Sequence, residues 1–345
     1  MKVENKYVFA VCGDDVHIDT LNKSMKYLKH FSKNEIIVVT DKTRNKKEIE
    51  HNNIINFQTP EKLTHHQASI YLKTSLHRYL DINHNYCYLD SDVLAINKNA
   101  DSIFNYFIAP ITFAPDHCKI NSFSPHAVNC GCLEKRNNEI SELEKLIEKF
   151  NPYYFSGSIQ NNHKSREFYR LASHIKSNPF KNISYILQFI IGRYISSNKK
   201  IKLTDTIIFD KETKTWQDQN KEIFLYHALN YYRSIEKESD FRFNLFQLKW
   251  KNKNKEDLYN LTCNHLLDKI RNTFKIEITN NKWQHWNGGV FLFNKKSKEF
   301  LDVWHNYTLE IFNNSEWKTR DQGTLAATAW KFGLDKHPVL PKTFN

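Results

Sequence analysis

The stretch Tyr86-Cys87-Tyr88-Leu89-Asp90-Ser91-Asp92-Val93-Leu94 carries the strongest signal in the chain. Its first four residues read as a short, fully buried strand, and two carboxylates follow at i and i+2. On an extended backbone that spacing points Asp90 and Asp92 to one face, where both can hold one divalent cation through oxygen. Ligands of open α/β sheets sit beyond the carboxyl ends of such strands, so the pair stands where these proteins bind things. A bare Asp-x-Asp arises by chance about once in a chain of this length, and the competing reading makes the two aspartates caps of the next turn or helix.

Working outward, residues 6–12 read as a strand, 19–31 as an amphipathic helix and 35–40 as a second strand ending at Asp41. Residues 54–57 add a strand, Pro60 opens a helical stretch to about residue 80, and the Asp90 strand follows. Residues 107–114 read as one more strand. Alternating strands and helices imply an α/β fold with a mostly parallel sheet flanked by helices. The pattern then changes: residues 133–282 are rich in Asn, Lys, Tyr and Phe, with helical periods near 140–150, 164–176 and 255–273, and read as a large, mostly helical insertion. Regular structure returns in 283–345. There Trp286-Asn287-Gly288-Gly289-Val290-Phe291-Leu292-Phe293-Asn294 couples a glycine pair to an apolar strand, letting backbone pass close to a ligand. Residues 295–312 read as a helix and 334–340 as a last strand. Three segments result: a binding half in 1–132, the insertion in 133–282 and the rest of the core in 283–345.

Lys and Arg number 50 against 38 Asp and Glu, a formal charge of +12 that attracts polyanions without choosing among nucleotides, nucleic acid and anionic lipid. Of the six cysteines, Cys12 and Cys87 lie in strand-like apolar runs where reduced thiols are ordinary, and the charged start of the chain does not resemble a secretory leader. A cytoplasmic, reducing compartment is expected. His117, Cys118, His126, Cys130 and Cys132 are metal-ligand types, but Cys130-Gly131-Cys132 lacks the usual two-residue gap, so a structural zinc is not expected. Residues 183–195 are strongly apolar between Lys181 and Lys199, Lys200 and Lys202. They are too short to span a bilayer, which takes about 20 residues. A buried core helix is the favoured reading, with a helix lying on an anionic membrane as the alternative.

Four segments, taken together and in order, resemble GT-A-type nucleotide-sugar glycosyltransferases, especially the group similar to glycogenin and the bacterial lipopolysaccharide hexosyltransferases. They are Phe9-Ala10-Val11-Cys12-Gly13-Asp14-Asp15, Leu72-Lys73-Thr74, Leu89-Asp90-Ser91-Asp92, and Asn287-Gly288-Gly289-Val290 followed by Arg320-Asp321-Gln322-Gly323. The resemblance implies a GT-A fold and Mn²⁺ or Mg²⁺ held by Asp90 and Asp92, with Asp90 also near the donor ribose or sugar. It places Lys73 as a cation facing the donor, against the equal alternative of an exposed helical lysine, and Val11, Cys12 and Asp14 at the nucleotide edge. Asp41 would touch the same pocket, and either aspartate, Asp14 or Asp41, reads equally well as a turn residue. Gly288 and Gly289 match the segment beneath the donor sugar, and Asp321 and Gln322 the position that contacts the sugar or activates the acceptor, with Asp321 the base if the enzyme inverts. Such chemistry needs a cation on the diphosphate that leaves as the sugar bond breaks. Many relatives supply a third ligand, a His beyond a Leu-Pro-x-x-Phe/Trp-Asn segment. Here the sequence reads to Leu340-Pro341-Lys342-Thr343-Phe344-Asn345; either it is a truncated form, or water and the diphosphate complete the shell, or His337 contributes from an unusual place.

The expectation is a metal-dependent glycosyltransferase in cell-surface glycan synthesis, cytoplasmic and peripheral on the inner, anionic face of the membrane. It would move a sugar from a nucleotide-sugar donor, a UDP-sugar favoured, to a glycan, lipid-linked or protein acceptor. The alternatives are a metal-dependent nucleic-acid-binding or processing protein, against which the lysines are dispersed and no nucleic-acid module is present, and a non-catalytic GT-A-like scaffold.

Overall fold

The computed structural model describes residues 3–150, 163–226, 228–244, 247 and 249–344. They fall into two compact units, Met1–Leu133 with Thr262–Asn345, and Glu134–Leu261.

The first unit is built on β1 (Asn5–Ala10), α1 (Asp15–Phe31), β2 (Glu35–Thr40), β3 (Ile54–Asn56), α2 (His65–Thr74), β4 (Asn85–Leu89), β5 (Thr112–Lys119) and α3 (Ile120–Ala127). α4 (Cys132–Phe150) leads into the second unit, which carries the short strands β6 (Lys200–Lys202), β7 (Ile208–Asp210), β8 (Thr215–Gln217), β9 (Ile223–Tyr226), β10 (Arg242–Asn244) and β11 (Lys249–Lys251). The first unit is completed by helix His265–Phe274, β12 (Gln284–Phe293) and helices Lys298–Ile311 and Gln322–Lys331. Its six-stranded sheet runs β3-β2-β1-β4-β12-β5. The first four strands are mutually parallel, while β12 lies antiparallel to both β4 and β5.

The pleat assigns side chains to two cores. Val8, Ala10, Tyr86, Tyr88, Phe291 and Phe293 pack with α2 and the helices after β12, through Ala68, Leu72, Phe300, Trp304 and Leu325. Tyr7, Phe9, Val11, Cys87, Leu89, Val290 and Leu292 pack on the other side against Ile18, Leu21, Met25 and Leu28 of α1. Both faces are therefore covered, which is why these strands read as continuous apolar runs instead of alternating ones. Phe291, fully buried, stacks on Tyr88 at 4.8 Å and meets Phe113 at 4.9 Å. Truncating such a ring costs about 3–5 kcal/mol. α1 has Asp15 in its first turn and Lys29 in its last, each charge matched to the helix dipole, and α2 opens on a capping box between Thr64 and Gln67.

The structure departs from the sequence reading in several places. β5 begins only at Thr112, two residues past Pro110, which cannot donate to a ladder. Residues 334–340 form no strand; Leu340 N donates a single bond to Phe113 O at 2.9 Å. The second unit ends at Leu261, not 282, because helix His265–Phe274 buries Leu266, Leu267 and Ile270 in the core of the first. The inserted unit is also less purely helical than expected. It holds a four-stranded antiparallel sheet, β6-β7-β8-β9, and the β10-β11 pair. Strands of three or four residues are too short for a period-2 signal. Finally, helix Ile183–Tyr194 is not a core helix: none of its residues is buried, and Ile183, Leu187, Ile190, Ile191 and Tyr194 form an exposed stripe at helical spacing. Phe189, on another face of the helix, stacks on Trp216 at 5.6 Å. Among the described residues no helix is long and apolar enough to cross a membrane.

Candidate functional site

β4 ends at Leu89, and the chain turns at once: Val93 N donates to Asp90 O at 3.0 Å, enclosing Ser91 and Asp92 in a tight turn. The two carboxylates are thus related by a turn, not by the strand pleat the i, i+2 spacing implied. Asp92 is exposed and the Asp90 side chain is 37% exposed. Asp90 does not act as a cap; its Oδ1 accepts the Tyr88 hydroxyl at 2.5 Å, and Lys73 Nζ lies 3.3 Å and 3.4 Å from its two oxygens.

Lys73 is the centre of the arrangement. It sits in the last turn of α2 with a side chain only 7% exposed, so the ordinary solvated helical lysine is excluded. Its ammonium reaches Asp321 Oδ2 at 2.9 Å and stands 5.4 Å from the centre of the Tyr88 ring. Burial pushes the ammonium toward neutrality, but the Asp321 and Asp90 carboxylates outweigh it and hold its pKa above the ordinary 10.5. Asp321 answers in the opposite sense. Burial raises its pKa, Lys73 lowers it, and the net value falls below the ordinary 3.8.

β12 supplies the floor. A Cβ on Gly289 would stand 2.9 Å from Asp90 Oδ2, and one on Gly288 would meet Lys73 Nζ at 3.4 Å and the Gln322 amide at 3.3 Å. The glycines are needed for space, not for conformation. Their segment leaves the β5 ladder between Asn287 and Phe291, while Gly289 O accepts from Asp90 N at 2.8 Å. Gln322, oriented to satisfy both partners, donates to Trp286 O at 3.0 Å and accepts from Gly288 N at 3.1 Å. Lys73, Asp90, Gly288, Gly289, Asp321 and Gln322, scattered over the sequence, therefore form one cluster.

The loop after β1 joins it through α2. Cys12 N donates to Ser69 Oγ at 3.2 Å and Ser69 Oγ to Cys12 O at 3.1 Å, and Ser69 lies one helical turn before Lys73. Val11 and Cys12 are buried, with Val11 N donating to Val39 O at 3.1 Å, so the structure leaves neither residue open at the surface. Asp14 is exposed and paired with Lys46 at 2.7 Å. Asp41 is a different case: it is 1% exposed, accepts from the Thr43 amide and hydroxyl on one oxygen and from Thr59 N and Oγ, both at 2.7 Å, on the other. Of its two readings, the turn residue is the one the structure supports. His337 is committed elsewhere, its Nε2 on Ile111 O at 2.8 Å.

Sequence reasoning missed Tyr88, whose hydroxyl orients Asp90, and Ser69, which ties the first loop to α2. Their spacing, i−2 and i−4 from Asp90 and Lys73, was legible; their partners were not. It also missed His285, buried with neither ring nitrogen hydrogen-bonded, stacked on Phe123 at 4.3 Å and held near pKa about 4, chiefly by burial. No protein-family model matches the chain, and a search of curated proteins returns no match.

Proposed function

We propose that this chain is a metal-dependent glycosyltransferase of GT-A fold that takes a nucleotide-sugar donor. The observation that carries the reading is the buried Lys73 held between Asp90 and Asp321 above a glycine floor at the carboxyl end of β4. A mostly parallel sheet with its charged cluster beyond the strand ends supports it.

Asp90 and Asp92 offer only carboxylate oxygen, the donor set suited to Mg²⁺ or Mn²⁺, and the absent Cβ of Gly289 leaves the Asp90 carboxylate its room. When bound, such an ion neutralises charge on the departing diphosphate. The chain's own groups do the rest. Lys73 presents a fixed ammonium that stays charged throughout the neutral range, and its hydrogen bonds leave no freedom to reorganise as charge develops. Tyr88 fixes one oxygen of Asp90. Gln322 pins the Gly288 backbone so that a sugar ring can lie close to it. A general base works best with a pKa near the working pH, whereas Asp321 is ion-paired and lowered, so we assign it to positioning Lys73 instead of to proton abstraction.

Donor hydrolysis across a panel of UDP-, GDP- and CDP-sugars with Mn²⁺ tests this reading. Asp92→Ala should lower metal-stimulated hydrolysis at least about a hundredfold while leaving the fold intact. Hydrolysis that persists in the variant, or no turnover or binding with any donor, would sink the assignment. The exposed stripe on helix Ile183–Tyr194 supports peripheral contact with an anionic bilayer. Lys199 and Lys202 pair with Glu212 and Asp205 at an exposed surface, which reduces their share of the attraction to anionic lipid and leaves more of the binding to the apolar stripe. Flotation with phosphatidylserine vesicles should show binding that Leu187→Asp abolishes; no flotation of the parent chain removes this part.

A further inference from the structure

We propose that Cys130, Cys132, Cys263 and His265 form a structural zinc site. The three sulfurs and one imidazole nitrogen all lie within 4.8 Å of one another. Cys130 Sγ and Cys263 Sγ are 4.0 Å apart, and Cys132 Sγ and His265 Nδ1 are 3.5 Å apart. A tetrahedral ion with zinc–sulfur bonds of about 2.3 Å and zinc–nitrogen bonds of about 2.0 Å sets ligands about 3.8 Å apart for two sulfurs and about 3.5 Å for sulfur and nitrogen. The cluster has the size of that tetrahedron. It is twice too wide for a disulfide, whose sulfurs stand about 2.05 Å apart.

The spacing that argues against zinc in the sequence becomes workable through one residue. Gly131 adopts φ +72 with open space around its missing side chain, and this left-handed turn lets ligands separated by a single residue face one ion. The other two ligands repeat the pattern, Cys263-Asn264-His265, far along the chain. The surroundings are built to hold them. Val128 bridges to Trp317, and Asn129 N donates to Glu316 O at 2.8 Å, fixing the approach to Cys130. Cys263 N donates to Asn121 O at 3.0 Å. Ser124 Oγ accepts from Leu266 N at 2.9 Å and lies 3.1 Å from Cys263 Sγ, leaving its proton to point at that sulfur, as an outer-shell partner of a thiolate should. Three soft sulfurs and an imidazole select zinc over the hard cations suited to Asp90 and Asp92.

The place of the cluster gives it a purpose. Cys130 and Cys132 stand just before the chain leaves the first unit at Leu133, and Cys263 and His265 just after it returns at Thr262. One ion would clasp the outgoing and returning segments and close the long loop of the inserted unit, removing chain entropy from the unfolded state.

Elemental analysis of the full chain, made in zinc-supplemented medium without a polyhistidine tag and purified without chelators, should find about one zinc per chain, released on titration with a mercurial. Cobalt exchanged into the same protein should show thiolate-to-metal charge transfer and the intense red absorption of a tetrahedral site. Cys263→Ser and His265→Ala should lower zinc occupancy at least about tenfold. Asp92→Ala should keep its zinc, which separates this site from the proposed donor site. Should the variants not fold, the cobalt spectrum of the parent chain decides. Substoichiometric zinc with all thiols freely reactive, iron in place of zinc, a weak octahedral cobalt spectrum, or a Cys130–Cys263 disulfide in peptide mapping would each overturn the proposal.

Discussion

The two parallel strands that flank β1, namely β2 and β4, are each followed by an aspartate, and the two differ in what surrounds them. Asp41, after β2, spends both oxygens on hydrogen bonds from Thr43 and Thr59 and is shut away from solvent. Asp90, after β4, is 37% exposed along its side chain and is approached by a tyrosine hydroxyl and a buried ammonium that it shares with Asp321. The same residue type in the same topological place is structural when its acceptors are saturated, here by four donors from Thr43 and Thr59 with Arg44 Nε 3.4 Å away, and available when they are not. Position at a strand end therefore nominates a residue, and hydrogen-bond saturation decides its use.

The sharpest way to break this contrast is Lys73→Met. It strands Asp321 as a buried charge, and chemical denaturation should show a loss of about 3–5 kcal/mol. An unchanged midpoint would mean the cluster is not the buried ion triad described. At the other strand end, Asp41→Ala removes the acceptor of four donors and should cost on the order of 3 kcal/mol, with metal and nucleotide binding of the folded fraction unchanged. Loss of nucleotide binding at full stability would return Asp41 to the donor pocket.

Acid should act on the interior before it reaches either strand end. His285 and His305 are buried and held at about 4 and about 3, below the ordinary 6.5, chiefly by burial. Their unfolded forms take up protons first, so the stability they contribute is present above pH 6.5 and is lost as pH falls toward those lowered values. His285 alone should account for a fall on the order of 3 kcal/mol over that window. Asp41 and Asp321 lie below the ordinary 3.8, so their contributions persist until pH falls further. Urea midpoints from pH 7 to 4 should flatten in His285→Phe; an unaltered acid limb would refute the assignment. Gly289→Ala has the smallest expected cost, about 1–3 kcal/mol, since its Cβ forces the Asp90 carboxylate aside. Its larger signature should be weakened Mn²⁺ binding by calorimetry.

Much of the first unit was legible because its signals are local. Continuous apolar runs of β-branched and aromatic residues mark β1, β2, β4 and β12, and the 3.6-residue period marks α1 and the helix Lys298–Ile311. The glycine pair and Asp90 were visible as departures from those runs. Three- and four-residue strands in the inserted unit carry too few residues for any period to show. Helix Ile183–Tyr194 illustrates a further limit: apolar content predicted burial, yet the stripe lies in the open, because composition does not say whether a partner face exists.

By itself the sequence determined the alternation of strands and helices, the carboxylate pair after β4 and the glycines of β12, since each follows from neighbouring residues and backbone preference. Only the tertiary structure decided that Lys73 is buried between Asp90 and Asp321, that Asp41 is saturated, and that Cys130 and Cys132 meet Cys263 and His265. Those facts depend on atoms brought within a few ångströms from distant parts of the chain. Dielectric, hydrogen-bond saturation and ligand geometry are properties of that assembled space and have no counterpart in local sequence.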